Sequence, residues 1–82
     1  MDLNTLRQKI SELDKKLLRT IKERFEISRQ IAALKGDHIY DSQRERELLQ
    51  EWLKEGLDEN FTRALFHMVL NESRSLMVKK AN

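Results

Sequence analysis

Hydrophobic residues recur at alternating spacings of three and four along the chain from Leu3 to Lys35. Because an α-helix turns once every ~3.6 residues, this spacing places them on one helical stripe. The stripe consists of Leu3, Leu6, Ile10, Leu13, Leu17, Ile21 and Ile31. The pattern predicts one uninterrupted amphipathic helix over residues 3–35, capped by Asp2 or Asn4 and ended by Gly36.

Two further helices are predicted after a short turn over residues 36–41. The second runs from about Ser42 to Glu55, begins with a capping box formed by Ser42 and Glu45, and stops at Gly56. The third runs from its cap at Asp58 to about residue 79. Its broad apolar face comprises Phe61, Ala64, Leu65, Phe66, Met68, Val69, Leu70, Leu76 and Met77. The predicted fold class is therefore all-α, with one very long, one short and one medium helix in a single domain, 1–82.

The predicted first helix is too long for the rest of its own chain to cover. A helix of ~33 residues measures ~50 Å. A compact chain of 82 residues has a radius of gyration of only ~12 Å. We therefore expect an intertwined helical homodimer, in which helices of a second copy lie along the apolar stripe.

Polar residues interrupt the stripe at Arg24, Ser28 and Lys35. An unpaired charge in an apolar interior lowers the stability of the fold by several kcal/mol. Cations on this face are therefore expected to have a partner or a function. Arg24 and Lys35 differ by ~20° in direction and lie ~16 Å apart along the axis, a spacing suited to binding opposite ends of a small anion. A purely structural interpretation stays open for each, since arginine snorkels at helical seams and lysine suits a helix C-terminus.

The other two helices also turn polar groups toward the covered side. Arg44 and Glu45 lie one turn before the apolar residues of the second helix, although both also fit an exposed first turn. Ser73 lies on the covered side of the third helix. Together with Arg24 and Lys35 these groups suit a small polyanion that carries ring hydroxyls. They contain no nucleophile–base pair, so we expect electrostatic stabilisation rather than covalent catalysis.

Composition excludes several classes of function. The chain has no cysteine, and its two histidines have no motif partner, so we expect no disulfide, no metal site and no cofactor. A net charge of +2, with both signs interspersed, is too weak to indicate nucleic acid. We expect no signal peptide, and the sequence has no apolar run of the ~18 residues that a membrane span needs. A cytoplasmic protein is expected.

Several short segments share their order and spacing with one family. They are Leu6-Arg7-Gln8-Lys9-Ile10-Ser11-x-Leu13-Asp14-x-Lys16-Leu17-Leu18, Glu23-Arg24, Lys35, Asp41-x-x-Arg44-Glu45, Leu65-Phe66 and Glu72-Ser73. Over essentially its full length the chain resembles the all-helical (AroQ-type) chorismate mutases. The resemblance implies an intertwined dimeric isomerase. Such an enzyme converts chorismate to prephenate, by an intramolecular Claisen rearrangement, in the shikimate pathway toward the aromatic amino acids Phe and Tyr.

The resemblance also assigns catalytic residues. Arg24 resembles the arginine that binds one substrate carboxylate and the enolpyruvyl end. Lys35 resembles the lysine that donates a hydrogen bond to the ether oxygen of the breaking bond. Arg7 resembles an arginine delivered by the other subunit. Helical geometry agrees with this last assignment, because Arg7 and Arg24 lie ~25 Å apart along one helix and ~100° apart in direction. One helix cannot bring both to one small ligand.

The remaining assignments concern substrate binding. Arg44 corresponds to a second-helix arginine of the pocket. Glu45 and the backbone of Asp41 correspond to the pair of groups that contacts the ring hydroxyl. Ser73 matches a serine near the ring carboxylate. One turn later the family usually has a glutamine or glutamate that shares the ether oxygen with the lysine, whereas this chain has Met77. Methionine at this position is compatible with three interpretations. The chain could be a weak mutase, a mutase helped by a partner enzyme of the pathway, or a relative with shifted specificity.

Other functions use similar residues. An isochorismate-pyruvate lyase or an aminodeoxychorismate mutase would share the arginines and Lys35, although Asp41-x-x-Arg44-Glu45 favours a substrate with a ring hydroxyl. The non-enzyme alternative is a helical dimerisation module or a sensor of an aromatic metabolite.

Overall fold

A computed structural model describes residues 2–35 and 41–79, except for the side chains of Lys35 and of residues 77–79. It contains three helices: α1 (Leu3–Lys35), α2 (Ser42–Leu53) and α3 (Glu59–Lys79). The described residues form no strand. The predicted all-α class and the three predicted helices are therefore confirmed. Of the predicted turn over residues 36–41, residues 36–40 with the helix-ending Gly36 lie outside the described residues.

Aspartates cap the first and third helices. The Asp2 carboxylate accepts a hydrogen bond from the Thr5 amide at 2.7 Å, and this bond lowers the pKa of the Asp2 carboxyl. The Asp58 carboxylate accepts from the Phe61 amide at 2.9 Å, as predicted for the start of the third helix. Each carboxylate satisfies an amide that has no partner inside the helix and favours the positive end of the helix dipole.

The start of α2 differs from the prediction. Its cap is Asp41, whose carboxylate accepts from the Arg44 amide at 3.0 Å, and Ser42 is the first helical residue. The predicted capping box of Ser42 and Glu45 is therefore wrong. An aspartate one position earlier supplies both the acceptor and a negative charge at the helix N-terminus, which leaves the Glu45 side chain available for other contacts.

The end of α2 comes two residues earlier than predicted, at Leu53. Lys54 closes the helix by donating its amide to carbonyls of the last turn. Gly56 then takes a φ of 93°, a left-handed conformation that other residues rarely adopt. A Cβ placed there would have nothing within 4 Å, so this backbone angle, and not lack of space, favours glycine.

Helix α3 packs against both α1 and α2. Phe66 and Val69 of α3 are buried, and the ring of Trp52 in α2 meets Phe66 edge-on with 5.0 Å between centroids. Other members of the predicted apolar face of α3 are not covered within one chain, since Phe61 and Met68 are exposed. The core therefore lies where α2 and the second half of α1 meet α3.

The first half of α1 extends beyond this core. Apart from the half-buried Thr5, residues 2–20 are exposed, and they carry the apolar side chains of Leu3, Leu6, Ile10, Leu13 and Leu17. The chain measures 52 × 27 × 15 Å with a radius of gyration of 15.8 Å, well above the ~12 Å of a compact chain of this length. Among the described residues, no helix has the length and apolar character needed to span a membrane.

Candidate active site

A pocket of about 320 Å³ lies where the three helices meet. It is lined by Arg24, Ser28 and Ile31 from α1, by Asp41, Arg44, Glu45 and Leu48 from the cap and first turns of α2, and by Leu70, Ser73 and Arg74 from α3. The structure thus brings together Arg24, Asp41, Arg44, Glu45 and Ser73 from the site predicted by sequence.

Arg24 is a half-buried cation at one side of this pocket. Its Nη1 donates to Ser73 Oγ at 3.1 Å, and its Cζ lies 5.9 Å from the ring centroid of Trp52. Burial lowers the pKa of Arg24, but an arginine remains protonated throughout the physiological range. The polar break in the α1 stripe therefore places a fixed positive charge beside the pocket.

Two serines line the pocket next to Arg24. Ser73 is 4% exposed and Ser28 is 7% exposed. The Ser73 hydroxyl donates to the Val69 carbonyl at 2.9 Å, one turn earlier in α3, while its oxygen accepts from Arg24. This pair of bonds fixes the hydroxyl in orientation and joins α3 to α1 at the pocket.

Glu45 and Arg74 form an ion pair at the pocket wall. Both carboxylate oxygens of Glu45 accept from Nη2 of Arg74, and the two side chains are 20% and 33% exposed. The pair joins α2 to α3. Sequence reasoning missed Arg74. It shares a helical column with Phe66 and Leu70, so the spacing that singled out Arg24 on α1 would also have found it.

Asp41, the cap of α2, and Arg44, in its first turn, also line the pocket. The carboxylate of Asp41 caps the helix, and its carbonyl accepts from the Glu45 amide at 3.0 Å. Asp41 is therefore held by two hydrogen bonds of the first turn. Arg44 is exposed but lines the pocket, so a second guanidinium is available beside the position of Glu45.

Of the predicted site residues whose side chains the structure describes, Arg7 does not line the pocket. Arg7 is exposed and lines a separate open groove formed by α1 residues alone, ~25 Å along the helix from Arg24. The side chains of Lys35 and Met77 lie outside the described residues. Their backbones stand at the last residue of α1 and one turn after Ser73 in α3.

The chemistry of the pocket suits an anion. Arginines from all three helices line it, together with the apolar side chains of Ile31, Leu48 and Leu70. A groove of about 360 Å³ at the turn between α2 and α3 is lined instead by Glu51, Trp52, Glu55, Leu57, Thr62 and Leu65, which include no cation. Within the described part of the chain, no three histidine, aspartate or glutamate side chains come close enough to hold a metal ion.

Comparison with known protein families gives a match to chorismate mutase type II over residues 6–78. The chain belongs to this family. The predicted resemblance is thereby confirmed, and with it the enzyme class, since a chorismate mutase is an isomerase. Neither the curated proteins nor the solved structures gave a match.

For a chorismate mutase type II chain, the small-molecule substrate is chorismate. The pocket lies entirely within the matched residues, and all three helices contribute polar groups to it. Its volume is near the lower end of the ~300–1,000 Å³ typical of small-molecule sites. These dimensions are appropriate to a single compact ligand.

Proposed function

We propose that this chain, as a homodimer, rearranges chorismate to prephenate in the biosynthesis of Phe and Tyr. The observation that carries the proposal is the convergence of Arg24, Arg44 and Glu45 on one pocket in a chain of the chorismate mutase type II family. Chorismate has two carboxylates, a ring hydroxyl and an ether bond, so its recognition needs cations, an acceptor and an apolar wall. The pocket offers all three.

In the proposed complex, Arg24 binds one carboxylate through its guanidinium fork. The hydrogen bond to Ser73 and the cation–π contact with Trp52 support this role, because they hold the guanidinium before the substrate arrives. Ser73 itself lies near the ring carboxylate. Arg44 adds a second guanidinium, and its exposure lets it close over a bound ligand.

The ring hydroxyl is proposed to contact Glu45 and the backbone of Asp41. An ionised carboxylate accepts hydrogen bonds and cannot donate them, so Glu45 favours a substituent that carries a proton. This preference supports the ring hydroxyl of chorismate as the group that Glu45 recognises.

The reaction is unimolecular, so the protein has two tasks. It must hold the substrate in the reactive conformer, in which the end of the enolpyruvyl group lies close to the ring. Arginines bound to both carboxylates fix this orientation. It must also stabilise the negative charge that develops on the ether oxygen as the C–O bond breaks. We assign the second task to Lys35, since one preorganised donor at such an oxygen contributes ~3–4 kcal/mol.

The direct test is to incubate the purified protein with chorismate, follow the loss of its diene absorbance, and identify the product. Prephenate is the expected product. Release of pyruvate together with a hydroxybenzoate would instead favour the lyase alternative. An unchanged substrate at high protein concentration would overturn the proposed activity and favour a non-catalytic helical module.

The proposed homodimer is supported by the surface that one chain leaves uncovered. A compact monomer of 9.8 kDa exposes about 5,200 Å², whereas this chain exposes 6967 Å². The first half of α1 contributes to this exposed area, because the large apolar side chains of its stripe are exposed in the single chain. A second copy running antiparallel would bury this stripe and place its own Arg7 near the pocket.

The shared site has its own test in mixed dimers. Arg7→Ala and Arg24→Ala homodimers should each be nearly inactive. When the two are unfolded together and refolded, the heterodimers regain one intact site, because both substitutions then fall in the other site. Refolded Arg7→Ala alone is the matched control. Absence of recovery in verified heterodimers would contradict the shared site without contradicting the reaction.

A further inference from the structure

Arg74 is a pocket residue to which the resemblance assigns no role. It contributes a third guanidinium to the pocket wall, and its Nη2 donates to both carboxylate oxygens of Glu45. Glu45 is the less exposed member of the pair. A partly buried carboxylate at a pocket wall is therefore held by a cation from a different helix.

This ion pair matters because of the charge that the substrate carries. Chorismate is a dianion, and a lone carboxylate in the pocket would repel it, since like charges at a partly buried site interact over several Å. Arg24 donates to Ser73 and not to Glu45, and Arg44 is exposed. Among the described side chains, the cation that pairs with Glu45 is Arg74.

The ion pair with Arg74 also leaves Glu45 able to accept a further hydrogen bond. Each oxygen of a carboxylate offers two acceptor sites, and Arg74 uses one site on each. The remaining sites are available to a hydroxyl proton. Arg74 therefore cancels the charge of Glu45 and fixes its orientation without removing its capacity to bind a ring hydroxyl.

We propose that Arg74 is a positioning residue that neutralises and orients Glu45, so that the pocket admits a dianionic substrate and still selects its ring hydroxyl. The inference rests on the proposed chorismate mutase activity. Both the bound substrate and the transition state carry the two carboxylates, so loss of Arg74 weakens both to a similar degree. Such a loss raises KM and changes kcat less.

The first set of variants separates this role from a structural one. Arg74→Met should raise KM for chorismate roughly tenfold, as expected for one uncompensated charge near a dianion, with kcat within about threefold. Arg74→Lys keeps the charge and should hold KM within about threefold of the unsubstituted chain. The matched control is Arg63→Met, which removes an arginine of α3 paired with Glu59 at 3.0 Å, outside the pocket. The control should leave both constants unchanged.

The second set removes the carboxylate. In Glu45→Gln, the neutral amide needs no compensating cation, so adding Arg74→Met should alter KM by less than about threefold relative to Glu45→Gln alone. This comparison, together with Arg74→Lys, decides the question even where Arg74→Met alone fails to fold.

Each contrary result has a distinct meaning. An unchanged KM in folded Arg74→Met would show that the ion pair only joins α2 to α3. A KM that rises equally with and without the Glu45 carboxylate would assign Arg74 to direct substrate contact. Either result overturns the inference while the unsubstituted chain still forms prephenate. An inactive unsubstituted chain overturns the proposed function and the inference with it.

Discussion

Replacing Arg24 with methionine should abolish catalysis without weakening the fold. In the proposed complex the guanidinium makes two charge-assisted hydrogen bonds to a substrate carboxylate, each with a net value of ~1.5–3 kcal/mol. Loss of both corresponds to ~3 kcal/mol or more, which lowers kcat/KM at least ~100-fold. Methionine is unbranched and apolar, so it fills the space of the aliphatic part of the arginine without carrying a charge.

The stability of this variant follows from the contacts of Arg24. The substitution removes one hydrogen bond to Ser73 and a cation–π contact with Trp52 worth ~0.5–1 kcal/mol. It also removes the cost of burying a cation, the same cost that lowers the pKa of Arg24. The Ser73 hydroxyl keeps its bond to the Val69 carbonyl, so no polar group is left unsatisfied. We expect the free energy of unfolding to change by no more than ~1 kcal/mol.

The assay pairs steady-state kinetics with chemical denaturation at one fixed protein concentration. Arg29→Met is the matched control, because Arg29 lies on the same helix, forms an ion pair with Glu26 at 2.9 Å and does not line the pocket. Its kcat/KM should stay within about twofold. A loss below tenfold in Arg24→Met would refute the binding role. A drop in unfolding free energy above ~2 kcal/mol would show that Arg24 is mainly structural.

Three further outcomes are expected. Lys35→Met should depress kcat strongly and KM less, because charge on the ether oxygen grows only in the transition state; a pure KM effect in the same assay would mean that Lys35 only attracts substrate. Met77→Gln should raise kcat/KM roughly 5- to 30-fold by adding a donor worth ~1–2 kcal/mol, whereas lower stability with no gain in rate would make Met77 structural. The thermal midpoint should rise with protein concentration if the proposed homodimer does not dissociate without unfolding, and a folded monomer in micromolar sedimentation experiments would contradict it.

The sequence was sufficient to predict the helices because their hydrophobic periodicity extends over many turns. The boundaries depend on single hydrogen bonds, and there prediction was weaker. Serine, aspartate and asparagine are nearly equivalent caps, so the pattern alone could not show that Asp41 and not Ser42 caps α2. The end of α2 was placed too late because Glu55 continues a helical composition while Lys54 already closes the last turn.

The candidate site was predicted in the part where polar residues interrupt an apolar stripe. Arg24 and Ser28 were found in this way and are respectively half-buried and buried at the pocket. Arg74 was missed because an arginine beside Ser73 in a charged stretch resembles an ordinary surface residue. The position of Trp52 against Arg24 depends on how α2 packs, which no local pattern reveals. The roles of Arg7, Lys35 and Met77, the single-domain organisation and the cytoplasmic location stay predictions.

The uncovered first half of α1 has a consequence for how the protein is made. This segment is synthesised before α2 and α3, and at ~5–20 residues per second several seconds pass before the ribosome adds them. Even then, those helices cover only its second half. In the proposed homodimer, completion of the native surface depends on an encounter between two chains, whose rate rises with their local concentration. Neighbouring ribosomes on one message would shorten the time for which Leu6, Ile10 and Leu13 face water, and dilute expression would prolong their exposure to proteases and chaperones.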